Sequence, residues 1–399
     1  MNILNKGKSP FYPGQPVPAE LFVGRQKEVD RLRRAATQVA LGKPQAFFIE
    51  GEYGIGKSSL AQYARLLMEK ESRLLGLHVF LGGARTVDDI AEKTVQAALE
   101  SRMMPGATFE RIRNFLADYV GEQTLLGVTL RLDKLRLDSP SISRGFLPFL
   151  REIFARSTDD GCRGVLLIID EINGVAETPD FAHFVKTLID SNATSGAPLP
   201  LFLILTGVET KRKAMIDHHK PVERLFEVLT VSPMDEREST EFFDHAFRSV
   251  GITVDHDAMN ILWRYSSGLP KLMHLVGEQA FWILEGDSLG RDDALKAVIE
   301  ASREVGRRFV DQQVFRTLHS KDYKGILQKL CGIRFGLTFR KAELDALLTP
   351  TERAKLNSFL QKMKRLHVLR SHQRGEWTFS EWLTRIYIDM MSPTLLDKR

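Results

Sequence analysis

The sequence predicts an α/β fold in which a parallel β-sheet lies between two layers of helices. Short apolar segments, each with the length of a buried strand, alternate with helical segments over about the first 230 residues. The first strand candidate is followed by a glycine-rich segment and then by a helix, which is the arrangement of a phosphate-binding loop. We therefore predict a three-layer domain of the P-loop class.

Five segments rich in Val, Leu, Ile and Phe are the strand candidates, because buried parallel strands are apolar on both faces. They cover residues 45–50, 77–82, 164–170, 200–207 and 227–232. A long insertion, about residues 103–146, separates the second candidate from the third. Apolar and polar side chains alternate over residues 128–133, which predicts a half-exposed strand without an assigned function.

The glycine-rich segment fits the pattern G-x-x-x-x-G-K-[ST]. It consists of Gly51, Glu52, Tyr53, Gly54, Ile55, Gly56, Lys57 and Ser58, and Ser59 follows. Glycines let successive backbone N–H groups face phosphate oxygens, and the next helix adds the positive end of its dipole. In this pattern Lys57 reaches the β- and γ-phosphates, and the Ser58 hydroxyl binds Mg²⁺. The segment predicts an ATP and Mg²⁺ site; the alternative is a glycine-rich turn without a ligand.

The third strand candidate ends in two carboxylates, Asp170 and Glu171. We expect Asp170 to hold Mg²⁺ through its water shell and Glu171 to orient and partly deprotonate the attacking water. The alternative is a pair of carboxylates that only ends a strand. A small-molecule kinase does not need this pair, so the sequence favours ATP hydrolysis over phosphoryl transfer to a metabolite.

Several motifs occur in an order that resembles the AAA+ ATPases. They are FVGR, GEYGIGKSS, LLIIDE, LFLILTG, VERLF followed by VSPM, and SGLPKL. The resemblance is to the branch that holds origin-recognition initiators and transposition-helper ATPases, and it overlaps with the signalling ATPases called STAND proteins. It covers about residues 20–300, and its strongest part is the two Walker elements. It implies a helical lid after the core and assembly into a homo-oligomer.

The resemblance also implies roles for residues outside the Walker elements. Phe22, Val23, Gly24 and Arg25 resemble the box that packs on adenine, with a plain helix-starting turn as the alternative. Thr206, at the end of the fourth strand candidate, resembles sensor 1, which positions the lytic water. Most relatives carry Asn at this position, and the alternative for Thr206 is a cap on the next turn.

Two further positions resemble residues that act on the γ-phosphate. Pro270 and Lys271 resemble the sensor 2 motif at the start of a lid helix, where Pro fits the first turn. Arg is usual in place of Lys271, and lysine is a point charge without bidentate geometry, so a solvated lysine is the alternative. Arg224 resembles the arginine finger that one subunit offers to its neighbour's nucleotide, with an ordinary exposed arginine as the alternative.

The composition favours a soluble multidomain protein. The chain has 399 residues, of which 43% are hydrophobic and 27% charged. No apolar run approaches the roughly 20 residues that span a bilayer, and residues 1–20 lack an apolar signal core, so we expect no membrane partner and a cytoplasmic protein. Cys162 and Cys331 have no CxxC or His-rich neighbourhood, which predicts no disulfide and no metal other than nucleotide-bound Mg²⁺.

Charge and periodicity divide the chain into four predicted regions. They are an extended N-terminal arm (1–20), a P-loop AAA+ core (21–232), a helical lid (233–305) and a C-terminal domain (306–399). From residue 301 onward there are 20 Lys and Arg against 10 Asp and Glu, whereas residues 1–300 carry 36 against 41. A basic domain attached to an acidic ATPase favours contact with nucleic acid over a merely well-solvated surface.

The C-terminal domain resembles a winged helix. Three helix candidates at 322–332, 340–348 and 350–367 are followed by a predicted hairpin at 367–380. In that fold the third helix enters the major groove and the wing touches phosphates. The residues we expect on DNA are Lys355, Lys362, Arg370 and Arg374. Winged helices also dock proteins, which is the alternative for this domain.

Two functions follow from these expectations. The first is an ATP-hydrolysing AAA+ protein that binds DNA through its winged helix and acts as a nucleotide-gated oligomeric switch or loader. The second is a STAND-like signalling or defence switch whose basic C-terminal domain docks a protein partner. No effector domain such as a nuclease is evident in the sequence, so either function would use a separate effector protein.

Overall fold

The protein consists of two compact units. A computed structural model describes residues 7–15, 17–18, 21–83, 86–100, 142–333, 335–371, 373 and 375–391. One unit covers Pro16–Ser232, and the other combines Met1–Gln15 with Pro233–Arg399. Most of the insertion predicted at 103–146, including the strand predicted at 128–133, lies outside the described residues.

A five-stranded parallel sheet forms the centre of the first unit, which confirms the predicted fold class. The strand order is β2-β3-β4-β1-β5. The strands are β1 (Gln45–Glu50), β2 (Leu74–Phe80), β3 (Gly164–Asp170), β4 (Leu201–Gly207) and β5 (Glu227–Thr230). The bounds of β1 and β3 are those predicted from the sequence, whereas β2 begins three residues earlier than the apolar run at 77–82 indicates.

In the described part of the first unit, six α-helices surround this sheet. They are α1 (Gln26–Ala40), α2 (Lys57–Ser72), α3 (Val87–Glu100), α4 (Ile142–Ser157), α5 (Pro179–Ala193) and α6 (Glu209–His218). Every residue of β3 and β4 is buried, as expected for strands covered on both faces. Parallel strands end at the same edge of a sheet, so the residues that follow β1, β3 and β4 are brought together there.

The second unit begins with four lid helices, as the helical periodicity after residue 232 predicts. They are α7 (Glu236–Arg248), α8 (His256–Ser266), α9 (Pro270–Ile283) and α10 (Arg291–Val305). Two short strands, β6 (Thr253–Val254) and β7 (Ser288–Leu289), pair in parallel between them. Asp235 and Glu238 form a capping box at the start of α7, because each side chain bonds a backbone N–H that the first turn leaves free.

The N-terminal arm packs against these lid helices. The ring of Phe11 is buried among aromatic side chains, and its centroid lies 4.9 Å from that of Phe247. A Cβ at Gly277 would collide with the Phe11 ring, so a glycine there allows the ring to approach α9. The Tyr12 N–H donates to Nδ1 of His274 at 3.2 Å. The predicted N-terminal arm is therefore inserted into the lid at Phe11.

The C-terminal part of the second unit has the element order of a winged helix. A π-helix, Gly306–Val314, leads from α10 to a short 3₁₀ turn, Phe315–Thr317. The elements that follow are α11 (Lys321–Cys331), β8 (Thr338–Arg340), α12 (Lys341–Leu347), α13 (Pro350–Arg365), β9 (Leu369–Ser371), β10 (Glu376–Phe379) and α14 (Trp382–Met391).

These strands form an antiparallel sheet in the order β8-β10-β9, and the strand pair β9–β10 is the predicted hairpin. The sequence analysis missed β8 because its three residues are too few to show a period. The third helix, α13, buries Leu356, Phe359, Leu360 and Met363, which is the apolar stripe that the helical periodicity predicts. Among the described residues, no helix is long and apolar enough to cross a membrane.

Candidate nucleotide-binding site

The glycine-rich loop connects β1 to α2 at the carboxyl edge of the sheet. Gly54 and Gly56 have φ angles of 75° and 93°, a conformation that glycine adopts without strain. No side chain caps the N-terminus of α2, which begins at Lys57. The first N–H groups of this helix therefore remain available to an anion, and the helix dipole favours negative charge at the same place.

The Lys57 side chain lies against its own loop. Its Nζ donates hydrogen bonds to the backbone carbonyl oxygens of Gly51 and Glu52, both at 2.9 Å. It also lies 5.7 Å from the ring centroid of the exposed Tyr53. Burial lowers the pKa of Lys57, although the charges of Asp170 and Glu171 act in the opposite direction. The loop thus concentrates one partly desolvated cation beside the free N–H groups of α2.

Asp170 ends β3 directly beside the loop. Its Oδ1 accepts a hydrogen bond from the Ser58 hydroxyl at 3.2 Å and a short one from the Thr206 hydroxyl. Burial tends to raise the pKa of Asp170, but hydrogen bonds from His78, Thr206 and Ser58 outweigh it, so that the pKa of Asp170 is lowered. A hydroxyl oxygen and an ionised carboxylate side by side are the hard oxygen ligands that Mg²⁺ prefers, so these residues fit that ion.

Thr206 lies on β4, between the strand of the loop and the strand of the acidic pair. Its hydroxyl is fully buried, donates to Asp170 and accepts the Glu171 N–H at 3.0 Å. Glu171 has a φ angle of 61°, which is uncommon for a residue with a side chain. The structure therefore places Thr206 behind the two carboxylates, where it holds the turn that presents Glu171. This contact differs from the helix cap that was the alternative for Thr206.

Four polar residues at this edge of the sheet were missed by the sequence analysis. His78 on β2 contacts both Asp170 and Gln62 of α2, at 3.1 and 2.8 Å. Glu50, the last residue of β1, forms a 2.7 Å ion pair with Arg212 of α6. The sequence contains a signal for His78 and Glu50, because each is a titratable side chain in an otherwise apolar strand. Burial of such a side chain is unfavourable unless it has a polar partner.

The segment of residues 22–25 packs beside the loop from the other side. The ring of Phe22 stacks on that of Tyr63, with centroids 4.4 Å apart and an interplanar angle of 13°. Arg25 is buried; its guanidinium donates to the backbone carbonyl oxygens of Ser232 and Ile55. Val23 and Gly24 are half-buried between these two residues. Phe22 thus packs on α2 through Tyr63, while Arg25 braces the loop through the Ile55 carbonyl oxygen.

Residues 21–204 match the family model described as the AAA ATPase domain. Over this segment the chain is similar to AAA ATPase domains. The match contains the whole glycine-rich loop and the acidic end of β3. No curated protein matches the chain in sequence.

Solved structures share the fold over nearly the whole chain. The Walker-type ATPase paby2304 of Pyrococcus abyssi is 17% identical, with a TM-score of 0.54, over 92% of this chain and 96% of that one. The Aeropyrum pernix ORC2 protein in its ADPNP–ADP complexes is 13% identical, with a TM-score of 0.58, over 99% and 97%. Cdc6p from Pyrobaculum aerophilum is 11% identical, with a TM-score of 0.50, over 98% and 97%. These likenesses show that the chain shares its fold with these proteins.

Arg224, Pro270 and Lys271 are the remaining residues that the sequence predicts to act on the nucleotide. Arg224 ends a 3₁₀ turn, Lys220–Arg224, and its side chain is exposed and forms no hydrogen bond or ion pair with another described residue. In the lid unit Pro270 occupies the first turn of α9, as predicted, and Lys271 follows it. The Lys271 Nζ lies 3.6 Å from a carboxylate oxygen of Glu381, close to the start of α14.

The two predicted DNA contacts on α13 both interact with other residues of the C-terminal domain. Lys355 of α13 forms an ion pair with Asp322 of α11. Lys362 donates to the Thr317 carbonyl oxygen at 2.5 Å, and its Nζ lies 5.8 Å from the ring centroid of Tyr323. The Lys362 ammonium group is therefore engaged in contacts within the domain.

The other two predicted contacts belong to the hairpin. Arg370 is exposed on β9. Arg374 lies outside the described residues, as does His372. On the outer surface of α13 the structure exposes polar and basic side chains that the sequence analysis did not assign: Asn357, Ser358, Gln361, Lys364 and Arg365.

Proposed function

We propose that this protein binds ATP with Mg²⁺ at the glycine-rich loop and hydrolyses it. The observation that carries the proposal is the 3.2 Å hydrogen bond between the Ser58 hydroxyl and Asp170 Oδ1. This contact joins the start of α2, where phosphates bind, to the acidic end of β3, where a metal and a lytic water are handled. A glycine-rich turn without a ligand would not need an ionised, buried carboxylate at that distance.

The roles of the remaining residues follow from their positions. Lys57 exchanges its backbone partners for the β- and γ-phosphates, and Ser58 with Asp170 holds Mg²⁺, which neutralises phosphate charge when bound. Glu171 acts as the base for the attacking water, and Thr206 acts as a positioning residue through the Glu171 amide. Phe22, beside Tyr63, supplies an aromatic wall for the adenine ring.

Replacement of Glu171 by Gln tests this function. The variant should keep ATP affinity and lose most of its turnover, because only the base is removed. Glu177→Gln, the same chemical change at an exposed position six residues later, is the matched control. ATP binding is measured by calorimetry and turnover by phosphate release. Wild-type turnover in the Glu171→Gln protein would show that Glu171 is not the base.

We propose further that the winged helix binds duplex DNA. Three properties support this: the element order of the domain, its excess of basic residues and the outer surface of α13. On that surface Asn357, Gln361 and Arg365 follow one another at helical spacing, and amide and guanidinium groups pair with base edges. Arg370, which is exposed on β9, would contact phosphates.

A protein-docking domain is the rival for this part of the chain. It is favoured by the engagement of Lys355 and Lys362 in contacts within the domain, which reduces the charge offered to DNA. Titration of labelled duplex DNA with the whole chain at several salt concentrations separates the two. Binding that weakens steeply with salt supports DNA. No binding at low salt, together with ATP-dependent recovery of a protein partner, would support the STAND-like alternative.

ATP is proposed to gate assembly into a homo-oligomer, with hydrolysis resetting it. The support is the exposed Arg224, which is free to enter the site of a neighbouring copy. An arginine that stabilises transition-state charge from a second subunit would make hydrolysis depend on assembly. A separate effector protein would then carry the output.

A further inference from the structure

His78 joins the α2 side of the sheet to the acidic end of β3. Its Nε2 lies 3.1 Å from Asp170 Oδ2, and its Nδ1 lies 2.8 Å from Gln62 Oε1. The surrounding residues of β2, Leu77 and Val79, are buried and apolar. Placing a polar imidazole ring in this apolar strand removes it partly from water, which is unfavourable. The hydrogen bonds at both ring nitrogens offset that desolvation.

The direction of the hydrogen bond to Asp170 is determined by chemistry. The Asp170 carboxylate is ionised and can only accept, so His78 donates through Nε2–H. The Gln62 amide carries both an acceptor oxygen and a donor NH₂ group. The oxygen accepts a hydrogen bond from a protonated Nδ1, and after rotation of the amide the NH₂ group donates one to an unprotonated Nδ1. The orientation of the ring therefore does not depend on its charge.

The two oxygens of Asp170 have separate partners. Oδ2 accepts from His78, whereas Oδ1 faces the hydroxyls of Ser58 and Thr206. Without the bond to Oδ2, the carboxylate is held only through Oδ1 and can tilt about its Cβ–Cγ bond, which changes the direction in which Oδ1 faces Ser58. Partners behind a metal ligand commonly have this effect, since they fix the ligand's orientation.

We propose that His78 is a positioning residue for the magnesium site, holding Asp170 so that Oδ1 stays beside the Ser58 hydroxyl, with Gln62 holding the ring. The proposal rests on the assignment of an ATP and Mg²⁺ site to this loop and deepens it. His78 touches neither nucleotide nor metal, so its effect is confined to the metal-dependent part of binding. The P-loop contacts to phosphate are made by other residues and are unaffected.

The test is a MgCl₂ titration of the binding of a fluorescent ATP analogue to the full chain. We compare the wild type with His78→Phe, which keeps a ring but cannot donate, and with His78→Gln, whose amide N–H can. The expected result is a rise of about 10-fold or more in the Mg²⁺ concentration at half-saturation for His78→Phe. His78→Gln should restore a Mg²⁺ concentration at half-saturation close to that of the wild type. Gln62→Leu should raise this concentration less than His78→Phe does.

Binding of the same analogue in EDTA should be equal in all variants. His183→Phe, at an exposed position in the same unit, is the matched control and should leave both measurements unchanged. Equal Mg²⁺ midpoints for the wild type and His78→Phe would overturn the proposal, and so would an equal loss of binding with and without Mg²⁺. A wild-type protein that binds no nucleotide would instead refute the ATP site itself.

Discussion

The Nζ of Lys57 donates a hydrogen bond to the backbone carbonyl oxygen of Gly51 at 2.9 Å. A second bond at the same distance goes to Glu52 O. The cation that the sequence motif assigns to the phosphates thus lies folded against its own loop, where the carbonyl oxygens substitute for phosphate oxygens. Nucleotide binding has to exchange these neutral acceptors for charged ones, which is favourable because charge-assisted hydrogen bonds are the stronger kind.

Lys57→Ala should therefore reduce ATP affinity by at least about 100-fold, because two hydrogen bonds to charged groups contribute about 1.5–3 kcal/mol each. Isothermal titration calorimetry measures the change. Lys70→Ala, at an exposed position further along α2, is the control and should bind ATP like the wild type. Unchanged affinity in Lys57→Ala would contradict the assignment of this loop.

Arg224→Ala should leave ATP affinity nearly unchanged and lower hydrolysis. The exposed guanidinium contacts no nucleotide in its own subunit under this proposal, and it acts on transition-state charge in a neighbour's site. A finger supplied by a second protein can contribute on the order of 10³-fold or more. Mixtures of Arg224→Ala with Glu171→Gln subunits should regain activity. No regain in a mixture shown to co-assemble would mean that Arg224 does not act between subunits.

Replacement of Arg370 and Arg374 together by Ala should flatten the salt dependence of DNA binding. Each lost phosphate contact reduces the slope of log affinity against log salt by about 0.9, so two contacts reduce it by about 1.8. Fluorescence anisotropy of a labelled duplex measures the slope. Arg248→Ala, at an exposed position in the lid, is the control. An unchanged slope in the double variant would remove the wing from the DNA interface.

The contact between the arm and the lid should weaken in acid. Burial lowers the pKa of His274 to about 4 from its ordinary value of 6.5, and its Nδ1 accepts the Tyr12 N–H. The unfolded chain therefore binds this proton first as the pH falls, and the stabilisation, at most about 3 kcal/mol, is lost progressively between pH 6.5 and 4.

His274→Asn keeps an acceptor near Nδ1 but does not titrate in this range. Urea unfolding at several pH values should show a steeper loss of stability in the wild type than in the variant between pH 6.5 and 4. Parallel stability profiles would show that His274 does not couple the arm to pH.

Local patterns in the sequence determined the sheet, the loop and the winged-helix order. Buried parallel strands are continuous apolar runs, so the sequence alone predicts the bounds of β1 and β3. The phosphate-binding loop was equally visible, because its chemistry needs glycines, a lysine and a hydroxyl at fixed spacing within one short segment. The short strands β6, β7 and β8 show no period and were missed.

Only the tertiary structure decided which side chains meet. His78 and Asp170 lie 92 positions apart in the chain, and Lys362 lies 45 positions from the carbonyl that it binds. A positive charge on a helix looks the same in the sequence whether it faces solvent, as Lys364 does, or a carbonyl oxygen, as Lys362 does. The physical reason is that periodicity reports burial along one element, whereas a hydrogen bond depends on the packing of two elements that the local sequence does not relate.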